Sequence, residues 1–258
     1  MKKWIQDFTV IENITLNSEY FELIVSPSDP LPEVLPGQFA AIRVDHSPGT
    51  FLRRPISIYD TDYQKNTLSF LIQVVGEGTK KLSGLRKSDT LNLIYPLGNT
   101  FDTAGVRKPL LIGGGIGIAP LLFLGNHLKD KGLKPVFILG FRHAGLLVDL
   151  SPFRKYGEVY LTTDDGSAGE RGLVLDHSIL RRHKFDFDMI YTCGPEVMMK
   201  AVAEFALDRG IQSQVSLENT MACGFGACLC CVQKTRQGNK IVCTEGPVFN
   251  SRELVWQI

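Results

Sequence analysis

Cys223, Cys228, Cys231 and Cys243 are separated by four, two and eleven residues in a chain of 258. Bringing four thiolates together at those spacings takes a coiled loop. From about Ser216 onward the chain is therefore predicted to be loop-rich and organised by a metal, with no long helix or strand. The pattern C-x4-C-x2-C with a later cysteine is the spacing that holds a 2Fe-2S centre, so it points to electron transfer. Gly224 and Gly226 suit that task, because a missing Cβ lets backbone N–H groups approach sulfur and stabilise the negative charge added on reduction. A structural zinc ion can also take four cysteines. Such sites usually bring two close cysteine pairs, and here only Cys228 and Cys231 form one. Cys230 is predicted to be a spare thiol directed away from the metal.

Length and charge narrow the rest. A chain of this size accommodates two domains and a small appendage. The hydrophobic share of 44% and charged share of 21% are ordinary for a globular protein, and a net charge of +1 gives no global attraction to nucleic acid or an anionic membrane. Five of the six cysteines crowd into the last 36 residues, unlike a distributed disulfide framework, and a reducing, cytoplasmic setting is expected. The start, Lys2-Lys3-Trp4-Ile5-Gln6-Asp7, turns polar where a signal peptide would be apolar. Residues 109–125 are uncharged but carry five glycines and two prolines, which fits a strand, a turn and a buried helix better than a membrane span.

The hydrophobic rhythm changes once along the chain. Up to about Asn99, six runs rich in β-branched and aromatic residues (Phe8–Ile11, Tyr20–Val25, Gln38–Val44, Pro55–Tyr59, Leu68–Val75 and Leu91–Tyr95) are separated by Pro, Gly, Asp and Ser, and predict a closed antiparallel β-barrel. After Lys108 strands alternate with helices. Strands are expected at Leu110–Ile112, Val136–Phe141, Val159–Thr162 and Met189–Thr192, and helices at Ala119–Leu128 and from Pro195 to Arg209, the latter closed by Gly210. That alternation predicts an α/β domain with a parallel sheet and ligands at the carboxyl ends of its strands. The expected division is 1–102, 103–214 and 215–258, a multidomain chain ending in a small iron-sulfur domain.

Several short motifs carry chemistry, each weak alone. Arg54-Pro55-Ile56-Ser57 opens a barrel strand: an arginine fork can bind a pyrophosphate, and a serine further along can reach a flavin nitrogen, although an edge-strand arginine is usually just solvated. Leu71-Ile72-Gln73 leads through a turn to Gly78 and Thr79 at the start of a short helix, where free N–H groups either receive phosphate or form an ordinary cap. Gly113-Gly114-Gly115-Ile116-Gly117-Ile118-Ala119-Pro120 joins a strand to a helix as a dinucleotide loop should, with Ile118 at the third glycine position of the usual fingerprint. Cys193-Gly194-Pro195 ends another strand and presents a small side chain toward a nicotinamide, or is simply a turn. Arg142 either faces a 2′-phosphate or is solvated.

Taken in order, these motifs resemble the ferredoxin-NADP reductase superfamily, flavin barrels joined to nicotinamide-binding domains. The segment Ser216-x-Glu218-x-x-Met221-x-Cys223-Gly-x-Gly-x-Cys228-x-x-Cys231 narrows the resemblance, over essentially the whole chain, to the electron-transfer subunits of class 1B dihydroorotate dehydrogenase. The resemblance implies FAD held by Arg54, Pro55, Ile56, Ser57, Leu71, Ile72, Gln73, Gly78 and Thr79. It implies a 2Fe-2S cluster on Cys223, Cys228, Cys231 and Cys243, and NAD bound over Gly113, Gly114, Gly115 and Gly117 and near Cys193, Gly194 and Pro195. Ile56 stands where many of these reductases carry an aromatic residue, so flavin stacking on that side chain is not expected.

The chain lacks a constellation for oxidising dihydroorotate, which takes a base and a hydride acceptor. His46, His127, His143, His177 and His183 are scattered, and solvated or helix-surface roles are expected for each. The resemblance therefore implies a partner, an FMN-containing catalytic subunit, in a heterotetramer with two copies of each chain. The segment from Gly246 to the C-terminus is expected to form part of the docking face. A reductase serving an oxygenase, a hydrogenase or a nicotinamide-ferredoxin transhydrogenase would use the same parts, and a zinc-stabilised binding module is the reading from another class.

Overall fold

A computed structural model describes residues 2–45, 47, 49–181 and 185–256; His46 and His183 lie outside the described residues. The first unit is an antiparallel sheet of β1 (Trp4–Thr15), β2 (Tyr20–Pro27), β3 (Phe39–Ile42), β4 (Arg54–Ser57), β5 (Asp60–Asp62), β6 (Thr67–Gln73) and β7 (Thr90–Leu97), with helix α1 (Glu77–Ser83) between the last two. The strand order is β4-β3-β7-β1-β2-β6-β5. Six runs were expected and seven strands form, because the run at Pro55–Tyr59 bends at Ile58. Its first part pairs with β3, and its continuation, β5, pairs with β6 at the other edge. One bent segment thus completes the curl. Alternate residues point inward: Phe8, Phe21, Leu23, Phe70 and Leu93 fill the interior, where each such side chain contributes about 1.5–3 kcal/mol.

The second unit is a sheet of β8 (Pro109–Gly114), β9 (Val136–Phe141), β10 (Glu158–Thr163), β11 (Glu170–Arg171), β12 (Met189–Cys193) and β13 (Gln212–Ser216). Helices α2 (Ala119–Asp130) and α3 (Ser151–Tyr156) pack against one face and α4 (Glu196–Asp208) against the other. The ladders β8/β9, β9/β10, β10/β11, β8/β12 and β12/β13 are all parallel. Pro195 caps α4 as the residue before its first turn, one position earlier than expected. From β8 the chain winds outward through β9 and β10, then returns to β12 on the other side. A crevice therefore opens at the carboxyl ends of β8 and β12, the topological switch point where ligands bind in such sheets. Asp60 pins the two units together by accepting from Asn126 (3.2 Å) and the Tyr156 hydroxyl (3.3 Å).

The last segment forms the hairpin β14 (Val232–Thr235) and β15 (Gly238–Ile241), the turn α5 (Val242–Glu245) and β16 (Val248–Asn250). It has no private core. Cys231, Val242 and Cys243 are buried in one cluster with Phe39 and Ala41 of the barrel, Met199 of α4 and Val215 of β13. Strand β16 adds to that sheet antiparallel to β13, and Asn99 fastens it by donating to Glu245 O and Val248 O and accepting from Val248 N. Of the segment after Gly246, expected to form part of a docking face, Pro247, Val248 and Phe249 are buried against the protein, while Asn250 and Arg252 are exposed. The expectation for His177 is corrected. The residue is 5% exposed, accepts from Ile179 N through Nδ1 and approaches Glu170 through Nε2, so its role is a buried tie. Among the described residues no helix is long and apolar enough to cross a membrane.

Candidate flavin, nucleotide and cluster sites

A cleft of about 350 Å³ opens where the three units meet, within the size range of small-molecule sites. The barrel contributes Pro55, Ile56, Ser57, Leu71, Ile72, Gln73 and Thr79, the nucleotide turn contributes Ile116 and Ala119, and residues 217–221 form a third wall. Its largely apolar walls with a few polar groups fit a flat heteroaromatic ring. Seven of the nine residues expected to hold FAD line this cleft, and the other two meet at its edge. A Cβ on Gly78 would lie 3.3 Å from Arg54 Cδ and Nε, so the guanidinium stem rests on the first turn of α1.

The neighbouring arginines do different work. Arg53 turns under the sheet and donates to Ala41 O, Asn92 O and Asn92 Oδ1. Among the described residues Arg54 donates only to Leu52 O in the loop before its strand and pairs with no carboxylate, so its charge is available to an anion. Thr79 spends its hydroxyl on the turn, accepting from Val75 N at 2.9 Å and Gly76 N at 3.2 Å. Arg142 is ion-paired to Glu19 at 3.0 Å, an outcome between the two that the sequence left open.

At the crevice, Cys193 pairs in register with Gly113, and the turns that follow cross backbone to backbone. A Cβ on Gly117 would fall 2.4 Å from Gly194 N and 2.5 Å from Cys193 O, so only glycine permits this approach. Cys193 is buried, which pushes its thiol pKa well up, and the nearby Glu218 carboxylate adds to the rise. Glu218 lines the cleft, and its own pKa is raised by desolvation. Its side chain is exposed to the cleft and enclosed by it, which reconciles an accessible surface with a desolvated carboxyl. The motif from Ser216 to Cys231 contains Glu218, but it gave this residue no role in the site. The signal was positional: the chain leaving the carboxyl end of β13 toward Cys223 has to pass over the crevice.

The cluster cysteines come together as two pairs. Cys223 and Cys228 are in hydrogen-bond contact, as are Cys231 and Cys243, and the Cys223 sulfur is close enough to Cys243 to raise its pKa. Burial works against ionisation at Cys223, but N–H groups of Phe225, Cys228 and Ala227 and the Cys228 thiol outweigh it and lower the pKa to about 6. At Cys243 burial, then the Cys231 and Cys223 sulfurs, push it up to about 12. The loop turns its amides inward: Ala227 N and Cys228 N donate to Cys223 Sγ at 3.3 and 3.4 Å, and Cys243 N donates to Cys231 Sγ at 3.3 Å. Among the described residues no three Cys, His, Asp or Glu side chains converge as on a single ion. Two thiolate pairs with inward N–H groups fit a two-iron cluster, in which each iron takes two cysteines. Cys230 is exposed and makes no hydrogen bond among the described residues.

A family profile for the iron-sulfur cluster binding domain of dihydroorotate dehydrogenase B matches residues 218–255. The dihydroorotate dehydrogenase B (NAD+) electron transfer subunit of Caldanaerobacter subterraneus subsp. tengcongensis is 39% identical, covering 98% of this chain and 100% of that one. The subunit of the same name from Clostridium acetobutylicum is 39% identical over 95% of each chain. A solved chain of an NADH-dependent reduced ferredoxin-NADP oxidoreductase superposes with a TM-score of 0.88 at 31% identity, covering 96% of this chain and 90% of that one. The ferredoxin reductase of carbazole 1,9a-dioxygenase, with a TM-score of 0.69 and 21% identity over 82% and 67% of the two chains, shares the fold. The chain belongs to the family of electron transfer subunits of NAD+-dependent dihydroorotate dehydrogenase B.

Proposed function

We propose that this chain carries electrons, taken from dihydroorotate by a partner catalytic subunit, through a 2Fe-2S cluster and FAD to NAD+ in pyrimidine (UMP) synthesis. The observation that carries the reading is the thinness of the wall between cluster loop and flavin cleft. Phe39 lines the cleft, and its Cε2 is 3.9 Å from where a Cβ on Gly224 would lie. Met221, two residues before Cys223, lines the same cleft. One side chain therefore separates the two sites, and a shared core holds them in fixed relation.

FAD supplies the exchange between single electrons and a hydride, and the cluster supplies one-electron transport. In this reading residues 1–102 hold the flavin, with Arg54 and Gly78 at its diphosphate and Pro55–Ser57, Leu71–Gln73 and Thr79 around its ring. Residues 103–214 hold NAD over Gly113–Gly115 and Gly117 and beside Cys193, Gly194 and Pro195, where Glu218 lines the cleft. Residues 215–258 carry the cluster on Cys223, Cys228, Cys231 and Cys243. The partner bears FMN, two copies of each chain assemble, and the complex works in the cytoplasm. Its docking face is the cluster loop, where Phe225 and Leu229 are exposed, extended by Trp4 and Ile5 of β1, which Lys3 ties to the loop by donating to Phe225 O at 3.1 Å.

Reconstitution tests this. The isolated chain should oxidise NADH with a dye and leave dihydroorotate untouched, and adding the catalytic subunit should create dihydroorotate-dependent NAD+ reduction. Turnover of dihydroorotate by the isolated chain would sink the division of labour. The likeness to the NADH-dependent ferredoxin-NADP oxidoreductase chain favours a second reading, a transhydrogenase subunit. Activity with reduced ferredoxin, and none with the dihydroorotate partner, would select it.

A further inference from the structure

Tyr20 begins β2 in the barrel, yet its ring belongs to the core of the nucleotide unit, in one cluster with Ile118, Ala119 and Leu122. The residue is 4% exposed. Phenylalanine would fill that space as well, so packing of the ring gives no reason for the hydroxyl. Among the described residues the Tyr20 hydroxyl has no hydrogen-bond partner. It points at the glycine turn. A Cβ on Gly115 would lie 3.5 Å from the Tyr20 oxygen, and no other atom beyond its chain neighbours comes within 4 Å, so this face of the turn is open.

The hydroxyl is also held in place across the unit boundary. Asn17 Oδ1 accepts from Glu19 N and Tyr20 N, each at 2.9 Å, while Asn17 Nδ2 donates to Leu147 O of the nucleotide unit at 3.2 Å. The Glu19 carboxylate accepts from Gln73 Nε2 at 2.7 Å and from Arg142 Nη2 at 3.0 Å, which ties the same hairpin to the end of β9. The Tyr20 O–H and the backbone of the Gly115–Gly117 turn face one open space, and the Arg142 guanidinium is near enough to act on the same hydroxyl. That set recognises an anionic oxygen.

We propose that the Tyr20 hydroxyl donates a hydrogen bond to the diphosphate of the bound nicotinamide dinucleotide, completing from the barrel side a site whose floor is the Gly113–Gly117 turn. This rests on the reading of that turn as the dinucleotide site. From a nicotinamide beside Cys193, the diphosphate crosses this turn before the adenosine reaches the ends of β9 and β10.

The test is Tyr20→Phe in the complete chain with its FAD and cluster. ADP-ribose binding is measured by calorimetry, and NADH oxidation by ferricyanide. A lost hydrogen bond to a charged oxygen should weaken ADP-ribose binding and raise the NADH KM by roughly tenfold, with kcat, iron, FAD content and Tm unchanged. An unchanged Kd and KM in the variant, while the parent chain binds ADP-ribose, would overturn the assignment. So would loss of FAD, which would move the hydroxyl to the flavin site. A parent chain that neither binds ADP-ribose nor oxidises NADH would instead remove the underlying reading.

Discussion

The cluster loop and the glycine turn at the carboxyl ends of β8 and β12 are both made of small residues, yet they are built in opposite ways. In the turn, Gly113, Gly114 and Gly117 are packed against other backbone and core side chains, so contacts within the protein set its shape. In the loop between Cys223 and Cys231, hydrogen bonds converge on sulfur, Gly224, Gly226 and Leu229 take positive φ, and Phe225, Cys228 and Leu229 face solvent. The difference teaches which partner does the ordering. Packing pre-forms the nucleotide turn, whereas in the proposed function metal–thiolate bonds would supply the cohesion that the loop lacks.

The largest effect should come from removing that cohesion. Serine at Cys223, Cys228, Cys231 or Cys243 should each abolish the 2Fe-2S absorbance and the dihydroorotate-dependent reduction of NAD+ in the reconstituted complex. NADH-to-dye activity should largely survive, since the flavin cleft and nucleotide turn keep their own packing. Hydrogen exchange should show amides 223–231 losing protection while β8 and β12 keep theirs. Equal exchange in both regions would break the comparison, as would stoichiometric zinc in place of two irons and two labile sulfides.

Next in size is the opposite lesion. Gly117→Ala drives a methyl into the Gly194 peptide, and backbone cannot swing aside as a side-chain tip can. A cost of about 2–3 kcal/mol corresponds to roughly 5–10 °C in Tm for a chain of this size. NADH oxidation should fall with it while iron content holds. At Gly226 the added methyl meets only the Thr244 methyl, 2.7 Å away, so Gly226→Ala should lower cluster retention more than Tm. The reverse ranking would mean that the loop is pre-formed after all.

Arg54→Ala should release FAD and leave the cluster spectrum largely intact. Losing a charge-assisted contact costs about 1.5–3 kcal/mol, or roughly ten- to hundred-fold in affinity. Full FAD occupancy at sub-micromolar protein would argue against Arg54 as the diphosphate anchor.

The same contrast explains what was legible in the sequence. The alternation through Tyr20–Val25 and the strand–turn–helix rhythm after Lys108 express periods of two and 3.6 residues, and those fix element type without tertiary information. The cysteine spacing was legible because chemistry imposes it. Glu218 was not, since its desolvation comes from walls contributed by three separate stretches of chain. Nor was β16, a three-residue strand whose only reason to exist is the edge of β13. Arg142 and Tyr20 each gain their role from the β1–β2 hairpin, more than a hundred residues from Arg142, and no local pattern encodes that meeting.

A smaller effect concerns pH. Desolvation raises the Glu218 pKa above its ordinary 4.5, so the folded chain binds this proton more tightly than the unfolded one. Its contribution to stability is complete below the unfolded value and is lost as pH rises through the folded value. Glu218→Gln removes that loss, so its Tm relative to the parent should improve on going from acid to neutral pH, and the NADH-to-dye profile should lose one limb. A Tm difference flat with pH would mean that the carboxyl is solvated.

The smallest effect expected is none, at Cys230. A loop ordered by metal bonds constrains the residues whose side chains reach the metal or whose N–H groups reach sulfur. Cys230 does neither among the described residues: it is exposed and makes no hydrogen bond, although it stands next to the buried Cys231. Cys230→Ser should therefore keep two irons per chain, the parent spectrum and the parent rate of NAD+ reduction, while Cys231→Ser one position away loses all three. The pair isolates the role of direction in the chain, because the two residues share chemistry and differ only in which way the backbone points them. Cluster loss at Cys230 with retention at Cys231 would exchange the two ligands. It would also mean that the iron-loaded loop adopts a different path from the one its sulfur-directed amides define.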